Sequence, residues 1–366
     1  MVKILNRKIR VYFQEIDKTL FFSVSAMLLF SLINIYGILG SENQFFIRHL
    51  IYTFVGLFVM IFISLFDYRY LKNYSSPSLV LYLVSIVLLI LTFFSRSVRG
   101  TNAWIIVGGF TFEPSEIAKL ILIILMAKYF SQRHVHINNL RNILVSGLYF
   151  AIPMAIVMNQ PDLGSGIILT AIWVGMLLAV GINKKHLFVL ILMGVVASYV
   201  AWLFLLQPYQ KDRIMTFINP GSDPRGSGYN IIQSKIAIGS GFWLGSGVGN
   251  GSQSKLGFLP EPHNDFAFSS AIEQFGFLGG FGILGLIFMI VWRILNIGSR
   301  SVNNFGKLFA IGMSIFIFSH AFVSASVNTG LMPVTGIPFS LLSYGGSHLI
   351  AIMIGIGILQ SIKRYG

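Results

Sequence analysis

The sequence predicts an all-α fold, a polytopic membrane helix bundle of about ten transmembrane helices. Three observations predict it: an apolar composition, ten long apolar stretches, and a lopsided placement of basic residues. Of 366 residues, 55% are hydrophobic, 14% aromatic and only 10% charged, with mean hydropathy +0.77. A water-soluble domain carries about 25% charged residues. Thirty-three Phe and 37 Gly suit lipid-facing and closely packed helices. The absence of Cys excludes thiol catalysis, thiolate metal sites and disulfides. No polar block of composition marks a second unit, so a single membrane domain over residues 1–366 is expected.

About 20 helical residues cross the ~30 Å hydrocarbon core. Suitable stretches fall near Thr19–Ile38, Leu50–Leu65, Ser78–Phe94, Ser115–Phe130, Ile143–Met158, Gly164–Val180, Leu187–Leu206, Phe266–Trp292, Phe309–Val327 and Leu341–Ile362. The first is too long for a cleaved signal peptide and ends in Gly37-Ile-Leu-Gly40 without an Ala-x-Ala site.

The net charge of +14 records topology rather than nucleic-acid binding. With both termini in the cytoplasm, seventeen of the 26 basic residues fall in cytoplasmic segments, among them Arg69, Lys72, Lys128, Lys184, Lys185, Arg293, Lys363 and Arg364. The short outer loops hold only Arg48, Arg96 and Arg99, as the positive-inside rule requires. This orientation puts residues 207–265 outside, as a large extracytoplasmic loop between the seventh and eighth stretches. A loop of that length is usually functional or disordered. The amphipathic run Ile231–Ile238 within it predicts an interfacial helix.

Four polar groups stand out at membrane depth or its outer edge, where charge is costly. In Glu113-Pro-Ser-Glu-Ile-Ala-Lys119, Pro starts a helix, and Glu116 and Lys119, three apart, share a face and can pair. They form either a structural ion pair or a substrate contact. In Gln160-Pro-Asp-Leu-Gly164, Asp162 suits a helix cap. The Gly-rich run Gly239–Gly251 lacks the Gly-Lys-Ser/Thr of a nucleotide loop and suits a flexible surface turn. In Leu259–Phe266, Asp265 is either a helix cap or a general base at the edge of a low-dielectric cleft. His263 and Asp265 alone are too few for a metal site, and no metal ligands are assigned.

Together these blocks resemble the SEDS family of membrane glycosyltransferases (shape, elongation, division, sporulation), and its RodA branch in particular. The likeness runs in order through Pro114–Lys119, Gln160–Gly164, Gly228–Gly241, Phe258–Glu261, His263, Asp265-Phe266 and Ser343-Tyr-Gly-Gly-Ser347. Gln233–Ser240 is closer to RodA than to its division relative FtsW. The resemblance implies polymerisation of peptidoglycan from lipid II at the outer face of the bacterial inner membrane, with Asp265 as the catalytic carboxylate. It adds Lys119, Glu116, Asp162, Arg99, Gln233, Lys235, Ser343 and Ser347 as candidate substrate-binding residues. It implies a class B penicillin-binding protein as transpeptidase partner, with membrane lipids around the chain and no nucleic acid. It fixes no cofactor. The leaving pyrophosphate needs cations, for which Lys119, Arg99, Arg48 or a divalent metal ion are candidates. A lipid II flippase and a non-catalytic scaffold are the alternatives. The chain departs from the family pattern at Ala103, Glu113, Pro262, Asn264, Gln274, Ser324 and Ser326, and in Pro338-Phe-Ser340, which stands where the family has Pro-Leu-Pro.

Overall fold

The computed structural model describes residues 15–95, 103–107, 110–133, 140–219 and 226–366. The chain runs through α1 (Lys18–Leu39), α2 (Gln44–Ser64), α3 (Ser75–Leu91), a hairpin of β1 (Ile105–Val107) and β2 (Phe110–Phe112), α4 (Pro114–Ser131), α5 (Leu140–Asn159), α6 (Leu163–Val180) and α7 (Lys184–Val200). The long loop holds α8 (Pro208–Ile218), α9 (Ser227–Ser240) and a single helical turn at Ser252–Lys255, before α10 (Ala267–Arg300), α11 (Asn304–Asn328) and α12 (Gly346–Tyr365). The hairpin is antiparallel, with Ile106 opposite Thr111.

Among the described residues, nine helices are long and apolar enough to cross a membrane. The tenth expected stretch is α4, which carries Glu116, Lys119 and Lys128. All of α4 except Ile117, Tyr129 and Ser131 is buried. A helix covered on every side can hold charges at membrane depth because they face protein rather than lipid. At the other extreme, α7 has no buried residue. The bundle is tied at one end by Asp17, which caps α1 through the Leu20 amide at 2.9 Å. Asp17 also pairs with Arg293 of α10 at 2.8 Å and Lys363 of α12 at 3.1 Å.

The last apolar stretch starts later than its composition predicts. Leu341 has φ +63°, and α12 begins only at Gly346. The preceding segment is a buried loop in which Phe339 and Leu342 have no exposure. Its backbone finds partners outside any helix: Phe339 N–H donates to Ser343 Oγ at 2.9 Å, and Ser31 Oγ donates to the Leu342 carbonyl at 2.6 Å. Apolar character there serves a packed loop, which period alone cannot tell from a helix.

The Gly-rich run is not a flexible turn. The helix α10 breaks at Gly276, whose φ of 71° and ψ of −175° are non-helical, and the run fills the break. Ser246 and Gly247 N–H donate to the Glu273 and Gln274 carbonyls at 2.9 and 3.0 Å. Phe277 and Leu278 N–H donate to the Phe242 and Trp243 carbonyls at 2.7 and 3.2 Å. The groups freed by the break are thereby bonded without water, as membrane depth requires. The Glu273 carboxylate then accepts from Gln253 and Ser254 N–H at 2.7 and 3.0 Å. A Cβ at Gly276 would run into the Trp243 carbonyl, and its backbone conformation is one only Gly adopts readily. Gly276→Ala is therefore expected to cost about 3 kcal/mol, combining backbone strain and overpacking. Thermal unfolding in detergent checks this, and an unchanged midpoint would contradict it.

Candidate active site

Asp265 lies just ahead of α10, whose N-cap position is Phe266, so the helix-capping role considered from sequence does not fall on that position. The backbone of Asp265 is fixed from three helices. Asn328 Nδ2, at the end of α11, donates to its carbonyl at 2.8 Å. Asn328 Oδ1 accepts from Ser269 N–H of α10 at 2.9 Å. Ser234 of α9 donates to the Asn328 carbonyl at 2.6 Å and meets Ser269 Oγ at 2.6 Å. Sequence reasoning missed Asn328, whose side chain carries no charge to draw attention.

A second segment, 329–345, covers Asp265 from the other side. A Cβ on Gly336 would lie 3.9 Å from Asp265 Oδ2. The Asn264 carbonyl accepts from Ser343 Oγ at 2.6 Å, and the His263 carbonyl accepts from Tyr344 N–H at 2.8 Å. Three cations from separate elements reach this covering segment. Arg213 of α8 donates to the Val334 carbonyl at 3.3 Å. The exposed chain of Lys235 lies over Gly330, where a Cβ would sit 2.7 Å from Nζ. Arg48 of α2 lies within electrostatic reach of the Tyr344 hydroxyl. Arg213 was legible in the sequence only as one more loop charge.

The segment continues into a buried polar cluster. Lys119 Nζ donates to Glu116 Oε1 at 2.7 Å, with both side chains 1% exposed, so the i, i+3 pair expected from spacing is present. Glu116 Oε2 accepts from His348 Nδ1 of α12 at 2.7 Å, and His320 of α11 lies 3.5 Å from Lys119 Nζ. Neither histidine was a sequence candidate. Ser347 Oγ accepts from Glu113 N–H at 2.8 Å, Ser343 holds Asn264, and Asp162 caps α6 through Ser165 N–H at 3.0 Å. The geometry gives these three candidates positioning bonds. Gln233 is half-buried on α9. Arg99 lies outside the described residues.

Glu113 ends the strand leading to α4, where it accepts from Trp104 Nε1 at 3.0 Å and Ser115 Oγ at 2.7 Å. Burial, reinforced by the neighbouring Glu116 and Asp162 carboxylates, pushes its carboxyl up to about 7. The folded state then holds a proton that the unfolded chain releases near pH 4.5, so this group's contribution to stability falls as pH rises from about 5 to 8. Glu113→Gln removes that fall. Its thermal midpoint should gain a few degrees on the parent at pH 8 and match it near pH 5. Parallel pH curves would mean that Glu113 stays charged throughout.

The helices and this constellation define a polytopic membrane protein with an acidic residue under a cationic rim at one end of the bundle. A family model described as Cell cycle protein (FtsW/RodA/SpoVE) matches residues 11–366, and the chain belongs to that family. It is 34% identical over 352 residues to the peptidoglycan glycosyltransferase MrdB of Escherichia coli (strain K12), covering 96% of this chain and 94% of that one. It is 35% identical to the stage V sporulation protein E of Bacillus subtilis (strain 168) over 88% of each. Among solved structures, it is similar to the rod shape determining protein RodA of Thermus thermophilus (TM-score 0.71, 26% identity, 95% and 97% covered). It is also similar to a chain of a peptidoglycan synthase complex that coordinates polymerization and crosslinking (TM-score 0.81, 28% identity, 96% and 98% covered).

Proposed function

We propose that this chain is a peptidoglycan glycosyltransferase that polymerises lipid II into glycan strands for cell-wall elongation, in complex with a class B penicillin-binding protein. The observation that carries the reading is the convergence of Arg48, Arg213 and Lys235 on the one segment that covers Asp265. A carboxylate there takes the proton of the acceptor sugar's 4-hydroxyl as that oxygen attacks the anomeric carbon of the growing strand. The carbon–oxygen bond to the lipid pyrophosphate breaks as the new bond forms, which inverts the anomeric centre. The leaving group departs as an anion, so it needs positive charge rather than a general acid, and the rim supplies it. Lys119 is 1% exposed and already bonded to Glu116. It serves by fixing the start of α4 rather than by touching the leaving group. The relatives named above, and the complex that couples polymerization to crosslinking, support the activity and the partner. The Gln233–Ser240 run favours elongation over division.

A flippase and a scaffold are the competing readings, and Asp265→Asn separates them. The change keeps size and removes the base, so polymer formed from lipid II by the detergent-solubilised pair should fall about 10²–10⁴-fold. A scaffold would lose nothing. A flippase would make no polymer in detergent, where there are no two sides. Wild type without polymer, or a variant as active as wild type, overturns the mechanism.

The reading also needs the Asp265 end to face outward and both termini to face the cytoplasm. The chain has no Cys, so single cysteines report cleanly. Ser222→Cys should react with a membrane-impermeant thiol reagent in spheroplasts with an intact inner membrane, and His134→Cys should not. The reverse pattern inverts the topology.

A further inference from the structure

Below the rim, Glu116, His320 and His348 each offer a donor atom within 4.8 Å of the other two, and all three are buried. The geometry points to a divalent transition-metal site built by Glu116, His320 and His348, of the class that zinc or cobalt occupies.

Two features of the histidines carry this beyond a polar cluster. His320 Nδ1 lies 3.2 Å from the Pro338 carbonyl. A carbonyl can only accept, so Nδ1 holds the proton and Nε2 presents its lone pair, 3.5 Å from Lys119 Nζ and 3.8 Å from Glu116 Oε2. A ring whose far nitrogen is anchored on a carbonyl is how metal-binding histidines are usually oriented. His348 is 5% exposed, and its Nδ1 faces Glu116 Oε2 at 2.7 Å, so an ion held between the two takes the place of the proton on that nitrogen. The two imidazoles stack at 4.1 Å between centroids, so they reach the site from one side.

Glu116 divides its oxygens between two tasks. Oε1 takes Lys119 at 2.7 Å, whereas Oε2 faces both histidines. A metal on the Oε2 side therefore displaces Lys119 Nζ from His320 Nε2, 3.5 Å away, while the Lys119 bond to Oε1 can stay. Two imidazoles and one carboxylate form a donor set for zinc, and imidazole selects it over magnesium or calcium.

The ligands lie at the first turns of α4 and α12 and on α11, joined through Pro338 to the segment over Asp265. An occupied site would stiffen that segment. This consequence rests on the polymerase reading; metal uptake does not.

The test uses the full-length, tag-free protein in detergent, stripped with a chelator and titrated with Co²⁺ and then Zn²⁺ alone, with no lipid substrate. The expected result is one ion per chain. Co²⁺ should give a visible absorption band, Zn²⁺ should displace it, and Zn²⁺ should raise the thermal midpoint. His348→Asn and His320→Gln should each weaken binding at least 100-fold, while His263→Asn on the rim should not. Should His320→Gln fail to fold, His348→Asn carries the test, since the Asn amide can keep the bond to Glu116 that His348 Nδ1 makes. Absence of stoichiometric uptake, or uptake unchanged in His348→Asn, overturns the site. Failure of polymerisation with intact uptake would sink the polymerase reading and leave the metal site standing.

Discussion

The Asp265 end of this protein depends on one exchange of backbone hydrogen bonds, the one that lets α10 break inside a bilayer. Without water, an interrupted helix leaves several N–H and C=O groups stranded at a cost of several kcal/mol each. The Gly-rich loop bonds on both sides of Gly276, taking the Glu273 and Gln274 carbonyls and supplying the carbonyls of Phe242 and Trp243. This isolates the short first part of α10, from Ala267 to Phe275, as a separate rod. That rod is held by Asn328 and Ser234, and it points the Asp265 segment at its covering loop.

Charge is handled by the same economy. Three buried carboxylates are matched within the protein. Glu116 is enclosed by Lys119 and two histidines, Glu273 by two backbone amides, and Asp17 by Arg293 and Lys363. At the rim, Arg48, Arg213 and Lys235 gather on a segment, 329–345, that carries no acidic residue of its own. An anionic group is the natural complement to such a rim.

The helices were legible because lipid imposes a length and a composition that a sequence cannot hide. All ten apolar stretches correspond to helices, α4 included, and Ile231–Ile238 lies within α9. The reading failed where apolarity served another end, as in the loop ahead of Gly346, or where glycine served close packing rather than freedom, as in residues 241–251. Within the site, Asp265, Glu116 and Lys119 were visible as charges in costly places. Asn328 and His320 were not, because a neutral side chain in an apolar helix looks incidental until the partner it faces, contributed from a distant part of the chain, is known. Ser343 and Ser347 resemble substrate contacts in sequence and turn out to bond the backbone at Asn264 and Glu113.

Gln274 shows how one amide ties distant parts of the chain to a common history. Its Nε2 donates to the Asn34 carbonyl and side chain at 3.1 and 2.8 Å, and its Oε1 accepts from Gly249 N–H at 3.0 Å. Any side chain on Gly37 would collide with that same oxygen. A glutamate at 274 has no proton to give when ionised, so it demands a donor from Asn34 instead of an acceptor. A glutamate would keep the Gly249 bond and the need for glycine at 37, so positions 34 and 274 are the two that must change together. Co-variation between them across relatives would record which version of this joint each lineage inherited.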